Sequence, residues 1–118
     1  MIAFTTVSGT STSLRALLAA TKTTNTVKVT VWYHDVLRQV RPDDNPLQTG
    51  PQYSEITDTT EVSICDAPNT GVNRFIDGVE IYNDDTVSAT VTVFMDVAGT
   101  NKLQRKVVLG IGYTLSWE

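Results

Sequence analysis

Apolar and polar side chains alternate one by one along much of this chain. In Val27-Lys28-Val29-Thr30-Val31-Trp32-Tyr33, residues Val27, Val29, Val31 and Tyr33 fall on one side and Lys28, Thr30 and Trp32 on the other. A period of two is that of a β-strand with one face buried. Residues 89–97 repeat it, with Val91, Val93, Met95 and Val97 directed inward against Thr90, Thr92, Phe94 and Asp96. Ala98-Gly99-Thr100-Asn101 separates this segment from residues 103–109, and its Gly and Asn suit the positive φ of a tight reversal, which predicts a hairpin. Upstream, residues 74–82 place Phe75, Val79 and Ile81 at even spacing and stop at Asn83-Asp84-Asp85, whose short side chains favour a turn. The last third therefore reads as a three-stranded meander, with a fourth strand over residues 113–117 beyond Gly110 and Gly112.

Other segments are less regular. Residues 61–65 form a short strand closed by the breakers Asp66-Ala67-Pro68-Asn69-Thr70-Gly71. Residues 13–20 have helical propensity and a capping Ser13, and in these surroundings they suit a strand equally well. Residues 38–56 hold Pro42, Pro46, Gly50 and Pro51 with few periodic apolar positions, so a long irregular connection is expected there. The abundance of threonine favours pleated structure throughout. Together these features predict an all-β fold: one antiparallel β-sandwich over residues 1–118, Ig-like or jelly-roll-like, of about seven to eight short strands with one long loop.

Composition narrows the functions such a fold can serve. With 118 residues, 41% apolar and 19% charged, the chain can bury one core without disulfides or metal. Its net charge of -4 repels phosphate backbones, which argues against nucleic-acid partners. The basic side chains are scattered, apart from Arg38 and Arg41 in the loop and Lys102, Arg105 and Lys106 near the end, groups of a size usual for solvated strand edges. Cys65 is the single cysteine, which rules out an intrachain disulfide. No apolar run approaches membrane-spanning length, and residues 2–4 are too short for a signal segment. A soluble protein made in the cytoplasm is expected.

Candidate chemistry is sparse. His34 is the single histidine, and its neighbour Asp35 falls on the opposite strand face, which disfavours a Ser/His/Asp arrangement. Cys65 has no CxxC or His partner and sits in an apolar pattern, as a small buried hydrophobe would. Zinc would require more Cys and His than the chain has. Asp43, Asp44, Asp84 and Asp85 offer oxygen ligands in loops, without EF-hand spacing, and turn formation is the simpler role. Nucleotide-binding and nucleophile-elbow motifs are lacking too. No catalytic group and no cofactor is expected. Trp32, Tyr53, Tyr82, Tyr113 and Trp117 suit sugar stacking, but their spread favours packing in the core or between subunits.

One resemblance runs through both ends of the chain. Tyr82-Asn83-Asp84-Asp85-Thr86, the strand Ala89-Thr90-Val91-Thr92-Val93, the Gly99-Thr100 hairpin and the closing Gly112-Tyr113-Thr114-Leu115 resemble a group of small virion proteins of tailed phages. Ser11-Thr12-Ser13-Leu14, Leu17-Leu18-Ala19-Ala20 and Thr23-Thr24 are similar to the usual opening of that group. The chain departs from it in ending on Trp117-Glu118. The resemblance implies a structural part of the particle: a capsid decoration or cement protein on the head shell, or a neck, tail or fibre-anchoring component. It further implies contacts with the major capsid protein or other virion proteins, and a homo-oligomer, a trimer above all. A module binding host glycans is a third reading. The candidate contact residues are Arg38, Arg41, Pro42, Pro46, Tyr53, Lys102, Arg105, Lys106 and Trp117. The terminal strands, residues 2–6 and 113–117, are candidates to extend a neighbour's sheet.

Overall fold

The computed structural model describes residues 2–5, 12–37, 49–69 and 71–117, and the side chains of most of them. These residues form nine strands and no helix: β1 (Ile2–Thr5), β2 (Thr12–Leu18), β3 (Val27–Leu37), β4 (Gln52–Ile56), β5 (Val62–Cys65), β6 (Val72–Asn83), β7 (Ala89–Val97), β8 (Thr100–Leu109) and β9 (Thr114–Trp117). They make two antiparallel sheets that pack as a sandwich. The five-stranded sheet has the order β1-β6-β3-β4, and β9 pairs with β6 on the same side as β1. The four-stranded sheet has the order β5-β2-β7-β8.

β1 lies opposite residues 73–76 of β6 and β9 opposite residues 79–82, so the two short strands share one position in the sheet. Counted that way, the sandwich has eight positions. The β3–β4 and β7–β8 connections stay within a sheet, and every other connection crosses between sheets. This pairing order is that of a jelly roll in which both ends of the chain fall within one strand position.

Alternation builds the core. Leu14, Ala16 and Leu18 of β2, with Val91 and Val93 of β7 beside them, face Val27, Val29 and Val31 of β3 and Val79 and Ile81 of β6, all buried. Full burial of such a side chain contributes about 1.5–3 kcal/mol. The segment that suited helix or strand is strand β2, because Leu14, Ala16 and Leu18 meet the core only with a period of two while β7 supplies the backbone partners.

Four expectations are corrected. The last third is not a meander: β6 and β9 belong to one sheet and β7 and β8 to the other, since the inward faces of β6 and β7 meet each other across the core rather than edge to edge. Phe75 does not share the inward face of Val79 and Ile81. A β-bulge at Asp77 shifts the register between Trp32 and Tyr33, so Arg74 and Ile76 point inward and Phe75 is turned out. The end of the supposed irregular connection, residues 52–56, is strand β4, with Pro51 just ahead of it, where a missing N–H is tolerated. The β7–β8 reversal takes its positive φ from Ala98 (51°) and Gly99 (88°), the conformation of a type I′ turn, while Asn101 is already paired in β8.

One charged pair lies inside this apolar core. Arg74 is 2% exposed and is the largest of the fully buried side chains. Its Nε and Nη2 donate to the two carboxylate oxygens of Asp35 at 2.8 and 3.1 Å, and Nη1 donates to the Asp66 carbonyl at 2.8 Å. The guanidinium lies 4.0 Å from the centroid of the Tyr33 ring. Gly50 backs onto that ring so closely that a Cβ would stand 2.7 Å from it. Burial works to lower the Arg74 pKa, but the hydrogen bonds and charge of Asp35 outweigh it and hold it above the usual value. Removing one partner of such a pair leaves the other charge stranded. Asp35→Ala is therefore expected to cost about 3–5 kcal/mol in urea unfolding, and Asp35→Leu with Arg74→Met considerably less. Equal losses in the two variants would contradict the stranded-charge account.

Candidate interaction surfaces

The two ends of the sandwich are organised differently. At one end, the loops between β2 and β3, β6 and β7, and β8 and β9 converge on Asn83 and Asp85. Asn83 Nδ2 donates to the carbonyls of Val87 (2.9 Å), Leu109 (3.0 Å) and Gly110 (3.3 Å), while its Oδ1 accepts from the Asp85 amide at 3.0 Å. The Asn83 backbone pairs with Tyr113 and Gly112. Asp85 reaches the other way. Its carboxylate accepts the amides of Thr23 (2.7 Å), Thr24 (2.8 Å), Asn25 (3.2 Å) and Thr86 (2.8 Å). Those amide hydrogen bonds, that of Thr23 first, hold the Asp85 carboxyl far below the usual carboxylate range. Asp84 pairs with Lys28 at 3.3 Å. Both acids of this turn thus have structural partners, and among the described residues no group of three or more His, Cys, Asp or Glu is placed to hold a metal ion.

The β6–β7 and β8–β9 loops and the adjoining end of β8 carry exposed apolar side chains. Val87, Val108, Ile111 and Tyr113 are all exposed, Tyr113 at 68%, and each is at or next to a residue whose backbone Asn83 binds.

At the opposite end, Cys65 is fully buried near Arg74. Desolvation pushes its thiol up to about 11, against the opposing influence of Arg74. His34 faces outward. Its Nδ1 lies 2.9 Å from the Asp77 carboxylate, and its ring stacks on Phe75 at 5.3 Å between centroids. Asp35 points inward to Arg74, so the two neighbours sit on opposite faces, as the strand period requires.

The candidate contact residues that are described do not form one patch. Arg38, Arg41, Pro42 and Pro46 lie outside the described residues. Tyr53 stands on the outer face of the edge strand β4, 74% exposed. The basic group lies on β8, the edge strand of the other sheet, and is divided there. Lys102 and Arg105 sit opposite Met95 and Val93 in inward-facing rows, and Lys106 opposite Thr92 in an outward one. Trp117 is opposite Val79 in the register of β9. Core packing is the wrong expectation for several aromatic rings: Trp32 (41%), Tyr53 and Tyr113 are exposed. β1 and β9 pair with β6 of their own chain.

Sequence reasoning missed the Asp35–Arg74 pair and the apolar end. An arginine in a strand that otherwise alternates apolar residues was the available signal for the pair. The apolar end left no signal, because its four side chains come from two separate loops and the end of β8. Comparisons with protein-family models, curated proteins and solved structures find no match for this chain.

Two measurements check these assignments. Asp85 has a folded pKa below its unfolded value near 3.9, so it contributes stability above about pH 4 that is lost as pH falls. The melting temperature should fall below that pH, and Asp85→Asn should lower it at neutral pH and flatten the acid limb. Cys65 should resist iodoacetamide at about pH 8 in the folded protein and be alkylated in urea; rapid labelling of the native state would contradict its burial.

Proposed function

We propose that this chain is a non-enzymatic structural part of a tailed-phage particle, a head-decoration protein that braces the shell through contact area. The observation that carries the reading is the apolar end surface of Val87, Val108, Ile111 and Tyr113, gathered by Asn83. Exposed apolar side chains on segments fixed to one residue suit burial against a partner. The resemblance to small virion proteins supports it from a second side. Its asparagine-x-aspartate-threonine turn is Asn83 to Thr86, and here Asn83 and Asp85 are the residues that set those loops.

The partner in this reading is the major capsid protein, with the chain acting as a homo-oligomer, a trimer by the resemblance. Quantifying the protein in purified particles tests the proposal. Hundreds of copies on the head are expected, with Ile111→Asp and Tyr113→Asp preventing incorporation of an otherwise folded chain. A handful of copies at a vertex or on the tail would replace head decoration with a neck or tail role.

A further inference from the structure

The outer face of the five-stranded sheet carries aromatic rings among charged and hydroxyl groups in a register that can be followed row by row. Lys28 stands opposite Glu55 on one side and Tyr82 on the other, and Thr30 opposite Tyr53 and Glu80. Trp32 is opposite Gly78, and His34 opposite Phe75. Rows on one face recur about every 7 Å along a strand. Tyr53 is thus diagonal to Trp32, at roughly 7–8 Å by the usual cross-strand geometry. Gly78 leaves the position beside Trp32 without a side chain, and the bulge at Asp77 turns a carboxylate onto the same face. Lys28, Thr30, Tyr53, Ser54 and Glu55 line a shallow groove of about 490 Å³.

We propose that this face binds a neutral hexopyranose chain, with Tyr53 and Trp32 stacking on its rings and Glu55, Thr30 and Glu80 hydrogen-bonding its hydroxyls. The chemistry of the face distinguishes this from a protein contact. Protein interfaces exclude charged groups from their centres, because a carboxylate buried without a partner is costly. Here Glu55 and Glu80 stand among the rings, and Asp77 further along is already paired with His34. A sugar answers both kinds of group at once: its C–H face covers an aromatic ring, its hydroxyls donate to carboxylates, and the contact stays half-hydrated. The charge balance sets the class of sugar. Glu55 and Glu80 flank Lys28, which is itself paired with Asp84, and Asp77 lies further along the face against His34, so the face repels polyanionic glycans and suits neutral ones. This inference goes beyond a role on the particle and does not depend on it.

The test is an amide-resolved NMR titration of the full chain with maltohexaose, cellohexaose and chitohexaose, with heparin as the anionic control. At least one neutral hexasaccharide should shift resonances of β3, β4 and the 78–82 part of β6 with a Kd at or below about 1 mM. Trp32→Ala and Tyr53→Ala should each weaken it by at least about tenfold with an unchanged circular dichroism spectrum, and Val108→Ala, on the outer face of the other sheet, should leave it unaltered. Heparin should produce no shifts on this face. The proposal is overturned if none of the neutral hexasaccharides perturbs the face, if both aromatic variants bind like the native chain, or if heparin binds there more tightly. Copy number on particles bears on the decoration role alone, so the two readings fail separately.

Discussion

A chain that passes repeatedly between two sheets leaves backbone amides and carbonyls in the crossing loops, away from any strand ladder, and these groups must find partners. In this protein the side chains of Asn83 and Asp85 meet most of that demand at one end. An amide side chain offers both donors and an acceptor, so Asn83 can hold the β8–β9 and β6–β7 loops together while receiving the Asp85 amide. A carboxylate offers acceptors alone, which is what the clustered amides of Thr23, Thr24 and Asn25 need. The order of the two residues follows from this division. Placed at the end of β6, the central strand of its sheet, they connect three of the crossings that define the fold.

The other end meets a similar demand with charge. Arg74 reaches the Asp66 carbonyl beyond the end of β5 while its charge is balanced by Asp35 on β3, so one side chain joins three segments. A buried ion pair is weak evidence for stability, because desolvation offsets most of the attraction. Its stronger effect is on register. A one-residue slip of β3 against β6 would carry Asp35 to the outer face and leave Arg74 inside without its partner. The bulge at Asp77 makes such a constraint useful, since it is the point at which the β3–β6 register already shifts.

Strands of uniform alternation were legible in the sequence, and both β3 and β7 lie where the period of two put them. Legibility failed where tertiary structure changes the period or the partner. Nothing local marks Asp77 as an extra residue, so parity carried from Val79 back to Phe75 assigns the wrong face. Sheet membership also escaped, because a turn such as Asn83-Asp84-Asp85 has the same composition whether it closes a hairpin or arches between sheets. Of the candidate contact residues, Tyr53 proved exposed, as a surface role requires, whereas the basic trio was grouped by sequence proximity and is divided by strand geometry between two faces. The Asn83-Asp85 turn was recognisable as a motif, but its structural reason lay in partners 26 to 62 residues away.

The edges of the sheets limit how such a module can join others. Along one flank, β4 and β5 are tied by side chains: Gln52 and Ser54 donate to the Ser63 carbonyl, and Gln52 accepts the Asp66 amide. β8 carries the exposed charges Lys102, Arg105 and Lys106, and charged side chains on an edge strand oppose its pairing with a foreign strand. β1 and β9 are each four residues long, too short to template an extended ladder. Strand addition is therefore discouraged on several sides at once. The surfaces left for association are the apolar loops around Asn83 and the aromatic outer face of the five-stranded sheet, which lie on rigidly held elements and differ in chemistry. A partner that buries apolar area suits the first, and a partially hydrated, hydroxyl-rich ligand suits the second.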